Sequence, residues 1–111
     1  MPPGRSMSAP DPIQAIDRLI HEPGRLAILT VLSSVKSADF TFLQQVTGLT
    51  KGNLSSHLAR LEDSGLLEID KRFVHKKPRT SASLTALGRK RVKEHWVQLE
   101  ALKALSGEHI D

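Results

Sequence analysis

Between positions 50 and 60 the chain gathers Thr50, Lys51, Gly52, Asn53, Ser55, Ser56 and Arg60. These are hydrogen-bonding and cationic groups of little bulk. An Asn amide matches the adenine edge and an Arg fork matches guanine, while Ser bonds bases or phosphates without specifying much. If Thr50 caps a helix, the unpaired N–H groups of Lys51 and Gly52 stand at its positive end, where a phosphate is held. Gly52 lets a backbone come close. Asn53 has a second reading as a local helix-start group bonding near Thr50. His57 falls nearer the apolar side and reads as a half-buried packing residue. A second group follows in Lys71, Arg72, Lys76, Lys77 and Arg79, with Thr80 beside them and no acid between Lys71 and Arg79. Like charges repel, and such a cluster is tolerated chiefly where it meets an anion. Together the two groups describe a surface for duplex DNA, the first reading base edges, and Lys76, Lys77 and Arg79 of the second, with Thr80, meeting phosphates.

Particular elements must position these groups. Leu54, Leu58 and Leu61 recur at i, i+4 and i+7 and Gly65 follows, which predicts an amphipathic helix from Thr50 whose polar front faces away from the leucines. Upstream, Phe40 fits a very short edge strand. Thr41 then caps a helix Phe42–Thr47 with Phe42, Leu43 and Val46 turned inward, and Gly48 supplies the turn of a helix-turn-helix. Downstream, Leu67, Ile69 and Phe73 alternate with Glu68, Asp70 and Arg72, as in a half-buried strand. Pro78 excludes a central strand from the stretch that follows. Alternation resumes through Ala82 and Leu84, giving a β-hairpin with a basic loop at its tip.

Pro23 opens a helix that is apolar almost all round through Leu26, Ile28, Leu29, Val31 and Leu32, and such a segment belongs at the centre. Arg25, in its first turn, is either locally paired or free to meet a phosphate. Thr85 caps a last helix, about Ala86 to Leu105, with a stripe of Val92, Trp96, Leu99, Leu102 and Leu105. A helix of that length overruns so small a core. It is expected to pair with an N-terminal helix, Asp11 to His21, and with a second subunit, the alternative being a helix folded back on its own core. The expected dimer interface is Ile13, Ile16, Ile20, Val92, Trp96, Leu99 and Leu102.

At 111 residues and 39% apolar content the chain makes one domain with a modest core. Residues 1–10 carry Pro2, Pro3, Gly4 and Pro10 and read as a disordered arm, residues 11–106 as the domain with its terminal dimerisation helices, and residues 107–111 as a tail. With no cysteine there are no disulfides or thiolate metal sites, and the five histidines lack ligand spacing, so no metal or other cofactor is expected. No apolar run nears the ~18 residues of a membrane span, and no signal-peptide pattern opens the chain. The expected compartment is the cytoplasm, with no membrane partner. Net charge is +4, concentrated on the hairpin.

The order helix, helix, short strand, helix-turn-helix, hairpin, helix is that of a winged helix: mainly α with a small β-hairpin and an added C-terminal dimerisation helix. The segment TGLTKGNLSSHLARLEDSGLLEI resembles the corresponding part of bacterial MarR-like and ArsR-like transcriptional regulators. The match is best with small single-domain members near MarR, through Pro23 to Leu29, Thr47 to Thr50, Asn53 to Leu58 and Lys76 to Thr80. The resemblance runs from about Ile13 to Leu105. It implies a homodimer on a pseudo-palindromic operator, acting as a repressor, with the Thr50 to Ser64 helix in the major groove and the hairpin on a flanking minor groove or phosphate run. Many relatives carry Arg directly before His-Leu; here Ser56 stands instead. A strong guanine reader is thereby missing, and recognition leans on Asn53, Ser55, Arg60 and the hairpin. Metal sensing of the ArsR type is not carried over. MarR-type relatives often bind small aromatics between the DNA-binding lobe and the dimer helices, so a small-molecule effector of unknown identity is an expected partner.

Two other classes compete. A winged helix can serve as a protein interaction module, but the polar front lacks the aromatic anchors of a protein hot spot. No catalytic residues are expected: there is no Gly-rich phosphate loop or carboxylate pair, and Ser55, Ser56 and His57 share one short helix without an orienting acid.

Overall fold

The computed structural model describes residues 17–107. The N-terminal arm, Ile13 and Ile16, most of the expected first helix and nearly all of the tail lie outside the described residues. The described elements are α1 (Pro23–Leu32), β1 (Ala38–Asp39), α2 (Phe40–Thr47), α3 (Lys51–Asp63), β2 (Leu67–Val74), β3 (Lys77–Leu84) and α4 (Ala86–Gly107). Ahead of α1, Arg18 to Ile20 form a turn in which the Asp17 carbonyl accepts from the N–H groups of Ile20 and His21.

Burial organises the rest. Ile28, Leu29 and Leu32 of α1, Leu43 of α2, Leu54 and Leu61 of α3, and Leu66 are all fully buried in one cluster, closed by Leu67, Ala82 and Leu84 of the sheet and Val92 of α4. As expected, α1 is the central helix. Pro23 occupies its first turn, and the Glu22 carboxylate accepts from the Arg25 N–H at 2.7 Å. That bond, helped by His57 nearby, holds the Glu22 carboxyl below its ordinary 4.5. The three strands form one antiparallel sheet in the order β1-β3-β2, with Ala38 opposite Ala82 and Leu67 opposite Leu84.

Several expectations shift. The short strand is Ala38–Asp39 and α2 begins at Phe40, capped by Asp39 rather than Thr41: the Asp39 carboxylate accepts from the Phe42 N–H at 2.9 Å. In consequence Phe40 packs against the core beside Leu43, whereas Phe42 and Val46, expected inside, are 43% and 49% exposed. The hairpin also runs further than expected. β3 starts at Lys77, includes Pro78 and lies in the middle of the sheet, joined to β2 by a turn of only His75 and Lys76. Pro78 is tolerated for a geometric reason. Val74 and Lys77 flank the turn as the hydrogen-bonded pair, so the missing N–H of Pro78 points away from β2, toward an edge that β1 reaches only at Ser81 and Ala82. Finally, Ile20 and Val92, expected on a subunit interface, are 0% and 4% exposed. Both belong to the protomer's own core and are removed from that interface.

Candidate nucleic-acid interface

α3 is fixed at both ends and along its back. Thr50 is its N-cap and accepts from the Asn53 N–H at 3.1 Å. Ser64 and Gly65 close it: the Leu66 N–H donates to the Leu61 carbonyl and the Gly65 N–H to that of Glu62, the paired bonds of a Schellman end with Gly65 at φ +80°. Leu54, Leu58 and Leu61 are buried behind it. Lys51, Gly52, Asn53, Ser55, Ser56 and Arg60 are all exposed. A side chain at Gly52 would meet nothing within 4 Å, so internal packing does not require glycine there. The N–H groups of Lys51 and Gly52 have no backbone partner among the described residues, as the capping argument anticipates. In front of α3, Gly48 at φ +72° ends α2 and makes the turn.

Between α3 and the hairpin runs an open groove of about 730 Å³. Lys51, Ser55, Ala59 and Glu62 line it from α3, one helical turn apart; Ile69 and Lys71 line it from β2, and Lys77, Pro78, Arg79 and Thr80 from β3. The structure thus brings together Lys51, Ser55, Lys77, Arg79 and Thr80 from the expected set. Gly52, Asn53, Ser56 and Arg60 lie outside the groove lining, exposed on the same helix, and Lys76 sits in the hairpin turn. Lys71 and Ala59 were absent from that set. Both were readable, Lys71 two residues beyond Ile69 on one strand face and Ala59 one turn beyond Ser55.

The hairpin's charge is partly balanced, by one pair along β2 and one from across the fold. Arg79 meets Asp39 at 3.3 Å, the same carboxylate that caps α2, and the Arg72 guanidinium Nε donates to Asp70 at 2.7 Å. Lys71, Lys76 and Lys77 have no ion-pair partner among the described residues. Both pairs are well exposed, and exposed pairs contribute at most about 1 kcal/mol, so a phosphate can displace them. Arg25 and His57 are inward instead. The Arg25 Nε donates to the Leu19 carbonyl at 2.6 Å, and His57 lies 3.4 Å from Arg25 and 3.6 Å from Glu22. Gly24 is buried under the His57 ring, where a Cβ would collide with it.

Behind the groove, Thr85 caps α4 through the Gly88 N–H at 2.9 Å and donates its hydroxyl to the Gly65 carbonyl at 2.6 Å. Gly88 packs so closely that a Cβ would fall on the Leu66 carbonyl. Further along, Arg91 binds the Asp17 carboxylate at 2.6 and 2.9 Å, and His95 is fully buried with its Nε2 3.5 Å from His21 Nδ1. Burial first, then the neighbouring His21, lowers the His95 pKa from the ordinary 6.5, with Asp17 opposing. His95 Nδ1 has no hydrogen-bond partner among the described residues. Beyond His95 the helix presents Trp96 at 43% exposure and Val97 at 65%, with Leu99 and Leu102 half-buried. Among the described residues no cluster of acids and histidines could hold a metal, and no helix is long and apolar enough to cross a membrane.

A capped helix in a helix-turn-helix, flanked by a cationic hairpin, defines a winged helix-turn-helix. A family model described as a winged helix DNA-binding domain matches residues 25–103. Over 72 residues the chain is 32% identical to a protein of Methanocaldococcus jannaschii, spanning 65% of this chain and 78% of that one. Over 54 residues it is 37% identical to the HTH-type transcriptional regulator YgaV of Escherichia coli K12, spanning 49% of this chain and 54% of that one. The structure of a transcriptional regulator homologue from Pyrococcus horikoshii OT3 aligns with a TM-score of 0.75 at 30% identity, covering 89% of this chain and 94% of the other. The chain belongs to the winged helix DNA-binding domain family, among the transcriptional regulators broadly related to MarR- and ArsR-like proteins.

Proposed function

We propose that this protein is a sequence-specific repressor that binds a pseudo-palindromic operator as a homodimer in the cytoplasm. In this reading α3 of each protomer lies in a major groove and the β2–β3 wing rests on the flanking minor groove and phosphates. Thr50, Lys51 and Gly52 hold a phosphate, Asn53 and Arg60 read base edges, Ser55 and Ser56 bond bases or backbone, and Lys76, Lys77, Arg79 and Thr80 engage the wing's phosphates. Residues 11–106 act as one unit in which Trp96, Leu99 and Leu102 face the second subunit. An effector seated between the DNA-binding lobe and the dimer helices belongs to the same proposal.

One observation carries the reading. Every leucine of α3 is buried while every hydrogen-bonding side chain named on its front is exposed beside a groove whose lining includes Lys51, Lys71, Lys77 and Arg79. The exposed apolar surface on the far half of α4 supports the dimer. Selection from a random duplex pool tests the proposal, followed by gel shifts at two salt concentrations. The expected result is a two-fold symmetric site and an affinity that falls steeply with salt. No duplex binding at low ionic strength would refute it in favour of an interaction module. Light scattering tests the assembly separately: a dimer is expected, reduced to a monomer by Leu99→Asp or Leu102→Asp.

A further inference from the structure

The wing ends in an apolar pair that the fold does not use. Phe73 stands opposite Pro78 on the ladder, one residue before the pair that flanks the turn. Phe73 is 75% exposed. Opposed residues on an antiparallel ladder point to the same face, and alternation places this pair on the face of Ile69 and Lys71, which lines the groove beside α3. Leu67 and Ile69, on that face, reach the core. Phe73 lies four residues further along the strand, about 13 Å beyond Ile69, too far for core packing.

The surroundings of the ring select its partner. Lys71, Lys76 and Lys77 flank it without ion-pair partners among the described residues, while the two arginines of the wing hold exchangeable exposed pairs. An apolar tip between cations fits a polyanion whose interior is apolar, and the stacked bases of a duplex between two phosphate rails have that character. The tip is also held in one shape. His75 and Lys76 adopt φ of 53° and 67°, closing the hairpin in two residues, so the ring is presented by a short ladder rather than a loose loop.

We propose that Phe73, with Pro78 beside it, is a wedge that enters the minor groove next to the α3 site and partly opens a base step, bending the duplex. This rests on the DNA-binding reading above. Apolar wedges kink DNA in this manner, and pyrimidine–purine steps open most easily. The wedge therefore confers sequence preference at a position that no hydrogen bond reads, which offsets the absence of an Arg at Ser56.

The test uses the full chain and a duplex selected from the random pool, with 2-aminopurine placed in turn at each flanking position. Expected is a rise in fluorescence at one flanking step per half-site, and a bend seen as position-dependent mobility of circularly permuted duplexes. Phe73→Ala abolishes both and removes a preference of roughly ten-fold for TA over a G·C step there, while the salt slope stays unchanged because every cation remains. Phe73→Leu keeps part of the bend. Circular dichroism of Phe73→Ala should match the parent, since the ring is mostly solvated. Parental affinity and bend in Phe73→Ala would overturn the wedge and leave DNA binding standing; failure of the parent to bind any duplex would overturn both. Loss of binding to anionic vesicles in Phe73→Ala, with duplex binding unmoved, would assign the ring to a lipid surface and equally overturn the wedge.

Discussion

α3 and the β2–β3 wing bring side chains to the same groove from opposite kinds of foundation. α3 has buried leucines along its back, a threonine cap at one end and paired backbone bonds at the other. Its outward groups inherit a backbone that cannot shift without opening the core. The wing leaves the core after Ile69 and turns through two non-glycine residues at positive φ. Reading a base edge requires placement within hydrogen-bond tolerance, whereas neutralising a phosphate does not. On the proposed reading, selectivity therefore depends on burial, and charge needs only reach.

Removing the foundation of α3 should have the greatest consequence. Leu61→Ala should lower the unfolding free energy by about 2–5 kcal/mol, against less than about 0.5 kcal/mol for Lys77→Ala on the wing. Urea denaturation measures both, and similar losses would erase the distinction between helix and wing. On the binding side, Asn53→Ala and Arg60→Ala should each weaken binding to the selected duplex by about 1–3 kcal/mol and leave random duplexes unaffected. Replacing Lys76 and Lys77 with Ala should weaken all duplexes alike and flatten the salt slope by about 0.9 for each phosphate no longer neutralised. A wing pair that altered preference in that experiment would reverse the assignment of roles.

A titration remote from both regions reports what burial, aided by the neighbouring His21, does to a charge. His95 has a folded pKa below 6.5, so between that value and 6.5 the unfolded chain binds more protons. Its contribution to stability is complete above 6.5 and is lost as pH falls, by no more than about 1.4 kcal/mol per pH unit. Denaturation midpoints measured from pH 7 down to pH 5 should show this loss, and His95→Leu should flatten it. A finer change joins folding and binding at one residue of the wing. Lys76→Gly relieves a left-handed conformation and should stabilise the fold by about 1 kcal/mol, while removing one of the cations proposed to meet phosphates. Stability and affinity should therefore move in opposite directions.

What could be read in advance followed from local physics. The Thr50 cap, the leucine spacing and the Gly65 stop lie within sixteen residues of one another, and α3 formed as they indicate. The wing was legible as a hairpin but not in its length, because His75 and Lys76 carry none of the Asn-Gly chemistry that marks a two-residue turn. Pro78 argued against a strand only because the sequence does not say where the neighbouring strand stops. In α2 the expected inward set, Phe42, Leu43 and Val46, kept only Leu43, because the Asp39 cap starts the helix at Phe40 and seats Phe40 against the core. The Asp39–Arg79 pair spans 40 residues, and no local pattern announces it. Ile20 and Val92 have the spacing of an interface but are reached first by the core.

The junction at Gly65 and Leu66 joins three things at once. Leu66 ends α3, begins the approach to the wing and gives its carbonyl to Thr85, while Gly88 leaves no gap for α4 to roll upon it. A long helix clamped at the root of the reading element works as a lever arm. Whatever holds the outer half of α4 thereby sets the pitch at which α3 is offered to a groove. On the proposed dimer, inserting a single base pair between half-sites should then disrupt binding, since the lever has no joint in which to absorb the added rotation.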